Sequence, residues 1–168
     1  MQAEPHVTSV DTKTVPGRRV LHFKSLDEVV VDAERLAASP DTKMLGNWPL
    51  GQLLMHLATA INGSIDGISA RAPWFVRLAA PLIKGRILTK AMRAGFRLPK
   101  KVEPDFFPSA RSPGEALDAL RSAVARTKVE RMTSRHPVLG KLTHEEWTQL
   151  HLRHAELHLS FALPGTSG

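Results

Sequence analysis

The sequence contains no cysteine. Disulfides, iron–sulfur clusters, thiolate zinc sites and a cysteine nucleophile are thereby excluded, and any bound metal must be held by nitrogen or oxygen ligands. Tyrosine is absent too, and the aromatic residues are not interleaved with basic ones as a base-stacking platform requires. No apolar run approaches the roughly 18 to 20 residues that span a bilayer. The stretch from Met1 to Pro16 is polar and lacks the apolar centre of a signal peptide. These absences predict a soluble, cytoplasmic protein without a membrane span.

The longest stretch without acidic residues is also strongly basic. Between Arg71 and Lys101 stand Arg71, Arg77, Lys84, Arg86, Lys90, Arg93, Arg97, Lys100 and Lys101, with no Asp or Glu among them, in a chain of net charge +7. Such a block can attract phosphate backbones or anionic lipid, and it can equally be a solvated face. Arg86, Lys90, Arg93 and Arg97 are spaced four, three and four, which predicts one cationic helical face. Ile83, Ile87 and Phe96 are expected to pack inward beside it, leaving the charges in water. No specific nucleic-acid binding is expected.

At 168 residues the chain is long enough for one domain with a sizeable core. Residues 1–20, with Pro5, Pro16 and Gly17 and no periodicity, read as a flexible tail. Residues 21–164 read as a single helical domain, and residues 165–168 as a short C-terminal tail. Ser25 to Glu28 has capping-box spacing, and Leu26, Val29, Val30, Ala33 and Leu36 follow at helical spacing until Pro40. A second helix starts near Pro49, a residue suited to a first helical position, with Asn47 and Trp48 placed to cap and staple it. Pro81 should kink or split the basic segment that follows. Ser112-Pro113-Gly114-Glu115 and Thr143-His144-Glu145-Glu146 are two further capping signatures. No stretch shows convincing strand alternation. Four principal helices, with an extra helical insertion between the second and third, predict an all-α four-helix bundle.

Three of the eight histidines lie close together in Trp147-Thr148-Gln149-Leu150-His151-Leu152-Arg153-His154-Ala155-Glu156-Leu157-His158. Steps of three and four residues place Trp147, His151, His154 and His158 on one helical stripe. Gln149, Arg153, Glu156 and Ser160 form a second, polar stripe. If the polar stripe faces water, the imidazoles face the core, where their nitrogens need partners. His154 and His158 have the i, i+4 spacing of paired metal ligands in bundle proteins. The sequence is not HExxH, because no glutamate directly follows the first histidine, so a zincin-type peptidase is disfavoured. The best third ligand is His56, on the apolar face of the second helix. His151 can serve as a further ligand or as a donor that orients one. Trp147 reads as a core residue, His136 as a loop residue that either approaches a bundle end or restricts a turn, and His6 and His22 as poor ligands.

The phrase Asn47-Trp48-Pro49-Leu50-Gly51-Gln52-Leu53-Leu54-Met55-His56-Leu57, followed far downstream by an HxxxH helix, resembles the DinB/YfiT-like superfamily of four-helix bundles. The run from His136 to Thr143, continuing into Glu146-Trp147 and LHLRHAELHLSF, is similar to a bacterial branch catalogued only as a domain of unknown function. The resemblance covers about Arg19 to Pro164. It implies a divalent metal, zinc or nickel, held by His56, His154 and His158. It also implies a small-molecule substrate, with thiol-dependent transferases or isomerases using low-molecular-weight thiols among the relatives, and a tendency to form homodimers. A hydrolase is the other enzymatic expectation. The alternative is a non-catalytic bundle that binds a small ligand or uses its metal structurally. Many relatives follow the last histidine with Arg-Gly-Gln; here Leu159-Ser160-Phe161 follows.

Overall fold

The computed structural model describes residues 9–95, 109 and 111–165. Among these the fold is all-α, with four very short strands. The long helices are α1 (Leu26–Ala38), α2 (Leu50–Asp66), α5 (Pro113–Val129) and α6 (His144–Leu159). Two shorter ones, α3 (Trp74–Leu78) and α4 (Ala80–Thr89), follow α2. Strands β1 (Lys43–Met44) and β4 (Ala162–Leu163) pair antiparallel, as do β2 (Arg135–His136) and β3 (Gly140–Lys141). Each strand has two residues, too few for any alternation to show in the sequence.

Local chemistry explains most helix boundaries. Ser112 and Thr143 both close full capping boxes, each side chain accepting from the N3 amide while Glu115 or Glu146 accepts from the cap amide. At α1 the box is half realised: Ser25 accepts from the Glu28 amide, but Glu28 reaches the Lys24 amide instead. Pro81 cannot donate to the turn before it, and the segment splits at Ala79 into α3 and α4. Pro49 is the cap of α2 rather than its first helical residue. Asn47 caps nothing; its amide group exchanges hydrogen bonds with the backbone of Val10. The predicted cationic face also stops short, because α4 ends at Thr89 and Lys90 is already extended. Arg97 and Phe96 lie outside the described residues, as does His6.

The main core joins α1, α2, α5 and α6 through Val29, Leu36, Leu54, Leu120, Leu152 and Leu159, all essentially inaccessible. Burying each such side chain contributes about 1.5–3 kcal/mol before the entropy of ordering it. Helices α2 and α5 share the largest contact. Gly51 lets the segment leading into α5 press against α2, since a Cβ there would collide with the carbonyl of Arg111. A second cluster, Ala80, Leu88, Met132, Leu139, Leu142, Trp147 and Leu150, seats α4 and the β2–β3 hairpin against the start of α6. Gly140 turns that hairpin with φ of 73°. No helix is long and apolar enough to cross a membrane among the described residues.

The polar stripe of α6 departs from expectation. Arg153, Glu156 and Ser160 do not face water; they are buried beneath residues 18–23. Glu156 Oε1 accepts from Arg153 Nη2 at 2.7 Å and from the Phe23 amide at 2.8 Å. Arg153 Nη2 also donates to the Phe23 carbonyl, and Nη1 lies 3.2 Å from His22 Nδ1. Arg18 donates to Ser160 Oγ, and Arg19 forms a two-pronged pair with Asp32 while donating to the Leu159 carbonyl. Residues 9–20 carry no helix or strand, yet they are anchored at these points. Both faces of α6 are therefore covered, and only Gln149 of the polar stripe is exposed.

Candidate metal centre

The core packing of α2 against α6 brings His56 opposite His154 and His158. His56 is on the inward face of α2 between Leu53 and Leu57 and is 6% exposed. The Nε2 atoms of His56 and His154 lie 3.1 Å apart. One ligand atom from each of His56, His154 and His158 lies within 4.8 Å of the others. The three rings are mutually edge-on, with centroids 4.6–4.9 Å apart.

This spacing fits a shared ion. A tetrahedral metal bonded to two imidazoles at about 2.0–2.1 Å separates their nitrogens by roughly 3.3 Å. A direct hydrogen bond explains the His56–His154 distance equally well, but it gives the third ring no role. Burial pushes the His158 imidazole down to about 3, with the His56 and Arg18 charges adding to the effect. Burial, followed by the neighbouring His158 and His56, holds His154 well below the usual histidine range. Both are therefore neutral at pH 7 and present lone pairs, the state that metal coordination requires.

The surroundings orient the rings. The Trp48 indole is stacked on His158, at 5.5 Å between centroids and 1° between planes, and meets His56 edge-on at 5.0 Å. Trp48, which directly precedes the α2 cap, is thus also part of this site. Its place two helical turns before His56 was the available signal.

His151 stands outside the three-histidine cluster. Ser64 spends its hydroxyl proton on the Ile61 carbonyl, so its oxygen accepts from His151 Nε2 at 3.1 Å. Burial pushes His151 down to about 3, with His136 contributing. Trp147 stacks on His151 at 5.3 Å and gives its indole N–H to the Ser134 carbonyl, as a core tryptophan should. His136 approaches the other side of Trp147, at 5.5 Å. Its Nδ1 accepts from the amides of Val138 and Leu139, and burial pushes it down to about 4. His22 remains at the surface beside Arg153 and Glu156.

A cleft of about 220 Å³ opens beside His56, lined also by Thr59, Ala60, Gly63, Gly67, Ile68 and Ser69. At ~30 Å³ per water it holds roughly seven molecules, or one small substrate. Sequence reasoning did not find this cleft, because Gly67, Ile68 and Ser69 of its wall belong to the irregular segment after α2. A second hollow of about 520 Å³, near the N-terminal segment, is flanked by Lys13, Arg18 and Arg93.

Fold and site together define an all-α protein in which three histidines from two helices lie close enough to hold a metal ion. The chain belongs to the family described as protein of unknown function DUF1569, which matches residues 16–165. No curated protein and no solved structure matches it.

Proposed function

We propose that this protein is a divalent-metal-dependent enzyme of the DinB/YfiT-like type. In this reading α1, α2, α5 and α6 are the four-helix bundle, α3 and α4 are an insertion, and His56, His154 and His158 hold zinc or nickel. The observation that carries the proposal is the convergence of three imidazoles, two of them held neutral by burial, next to a cleft that reaches His56.

When bound, such an ion supplies a Lewis acid that lowers the pKa of a water or a low-molecular-weight thiol. The protein's own part is positioning. Trp48 fixes the His158 ring, and the α2–α6 core fixes the angle between His56 and the other two. Three nitrogens leave coordination positions open, and the cleft lined by His56 is the route by which this reading brings a small molecule to them. The thiol transferase or isomerase and the hydrolase share this arrangement.

Cobalt substitution tests the reading. Untagged protein loaded with Co²⁺ should show visible bands of a low-coordinate nitrogen site, and adding a small thiol should introduce thiolate charge-transfer absorption. Four protein ligands with no response to thiol or other small ligands would establish a structural metal instead. Failure to bind cobalt, zinc or nickel stoichiometrically would end the proposal.

A further inference from the structure

The stretch after α2 exposes an unusual amount of apolar surface. Trp74 is 74% exposed, Phe75 60%, Leu78 74%, Leu82 87% and Ile83 38%. Five large apolar side chains within ten residues form a patch of the kind that soluble monomers rarely leave uncovered. Looseness does not explain it, because the opposite side of α4 is firmly seated. Ala80 and Leu88 are buried against α6 and the β2–β3 hairpin, Ile87 packs beside them, and Lys84 Nζ pairs with Glu146 at 2.7 Å. The Ala72 amide donates to the Pro137 carbonyl. One side is held down while Leu78 and Leu82 point outward, four residues apart.

Charge identifies what covers the patch. Arg71, Arg77, Arg86 and Lys90 surround it in sequence, all are exposed, and none has an ion pair among the described residues. No acidic residue occurs from 71 to 101. A second copy in a two-fold pairing would bring this cationic surface against itself, which opposes association. Nucleic acid would satisfy the cations but gives Leu78, Leu82 and Phe75 nothing to enter. An anionic bilayer surface satisfies both halves: phosphates meet the guanidinium and ammonium groups, while Trp, Phe and Leu enter the boundary between headgroups and acyl chains. We infer that α3 and α4 form a peripheral membrane-docking surface selective for anionic phospholipid. The inference is independent of the histidine cluster.

The full-length protein should be sedimented with vesicles of phosphatidylcholine alone and with vesicles containing phosphatidylglycerol. Binding should be confined to the anionic vesicles and weaken as salt rises, since surface charge is screened. Trp74 emission should shift to shorter wavelength on binding, and Trp74→Phe should remove the shift, because Trp147 is buried and Trp48 is half-buried against the main core, away from the patch. Leu78→Ser with Leu82→Ser, and separately Arg77→Gln with Arg86→Gln, should each lower the bound fraction at least severalfold with helical circular dichroism unchanged. Absence of binding to anionic vesicles overturns the inference. So does equal binding to both vesicle types. Self-association that Leu78→Ser and Leu82→Ser abolish, in a protein that ignores vesicles, would assign the patch to a second copy.

Discussion

Helix α6 buries polar side chains on two faces, and the faces handle them differently. On one, Arg153 and Glu156 neutralise each other and bind the Phe23 backbone, while Ser160 is taken by Arg18. On the other, His154 and His158 converge with His56. Burial costs a polar group its hydration on either face. The Arg153–Glu156 face is held together by ion pairing and backbone contacts, which makes it structural. On the histidine face three imidazoles converge beside a cleft, and there the proposed function adds a metal ion.

That contrast breaks down most visibly if both faces respond alike to substitution. His56→Ala should take bound metal from stoichiometric to near zero while helical circular dichroism persists, read by elemental analysis of untagged protein. Retention of full metal content would remove His56 from the site. Glu156→Ala should leave metal content per folded molecule intact but cost about 3–5 kcal/mol of stability in urea unfolding, because Arg153 is left buried and unpaired. If it costs under about 1 kcal/mol, the pair is not the structural element described here.

Acid sharpens the distinction further. His151 and His158 are pushed down to about 3 and His136 to about 4, all by burial. Because these pKa values are depressed in the folded state, the unfolded chain takes up protons first as pH falls. The stability they contribute is fully present above about pH 6.5 and is lost progressively toward about pH 3, at about 1.4 kcal/mol per pH unit for each proton taken up only on unfolding. Unfolding of metal-free protein should show this decline between pH 6.5 and 4; a flat profile would mean these imidazoles are hydrated.

Smaller effects probe the support of the site. Trp48→Ala removes the plane that holds His158 and should weaken metal binding about 10- to 100-fold without abolishing it, in the range seen when groups that orient a ligand are lost. Competition with a chromophoric chelator measures this. The smallest effect is expected from DNA: only weak, salt-sensitive association at low ionic strength and no sequence discrimination in a fluorescence-anisotropy titration at about 150 mM salt.

The sequence discloses what is local. Ser112 with Glu115 and Thr143 with Glu146 announce their helices, Pro81 announces the split between α3 and α4, and four-residue spacing puts His154 and His158 together. His56 could be matched to them because a histidine among leucines on an amphipathic helix must face inward. What stayed hidden depends on distant cover. Arg153, Glu156 and Ser160 look solvent-facing in sequence, and only residues 18–23, more than a hundred positions away, bury them. The contact of Trp48 with His158 was hidden for the same reason, being equally remote. The basic segment was expected to turn Ile83, Ile87 and Phe96 inward. Ile87 does so, but Ile83 and its larger neighbours remain outside.

The distance along the chain between His56 and His154, 98 residues, also sets when the cluster can exist. Loop closure of that length precedes any contact between the rings and slows their meeting. During synthesis α2 emerges long before α6, so a growing chain presents one isolated imidazole. An ion shared by all three rings, as proposed, could therefore be bound only once α6 has packed against α2.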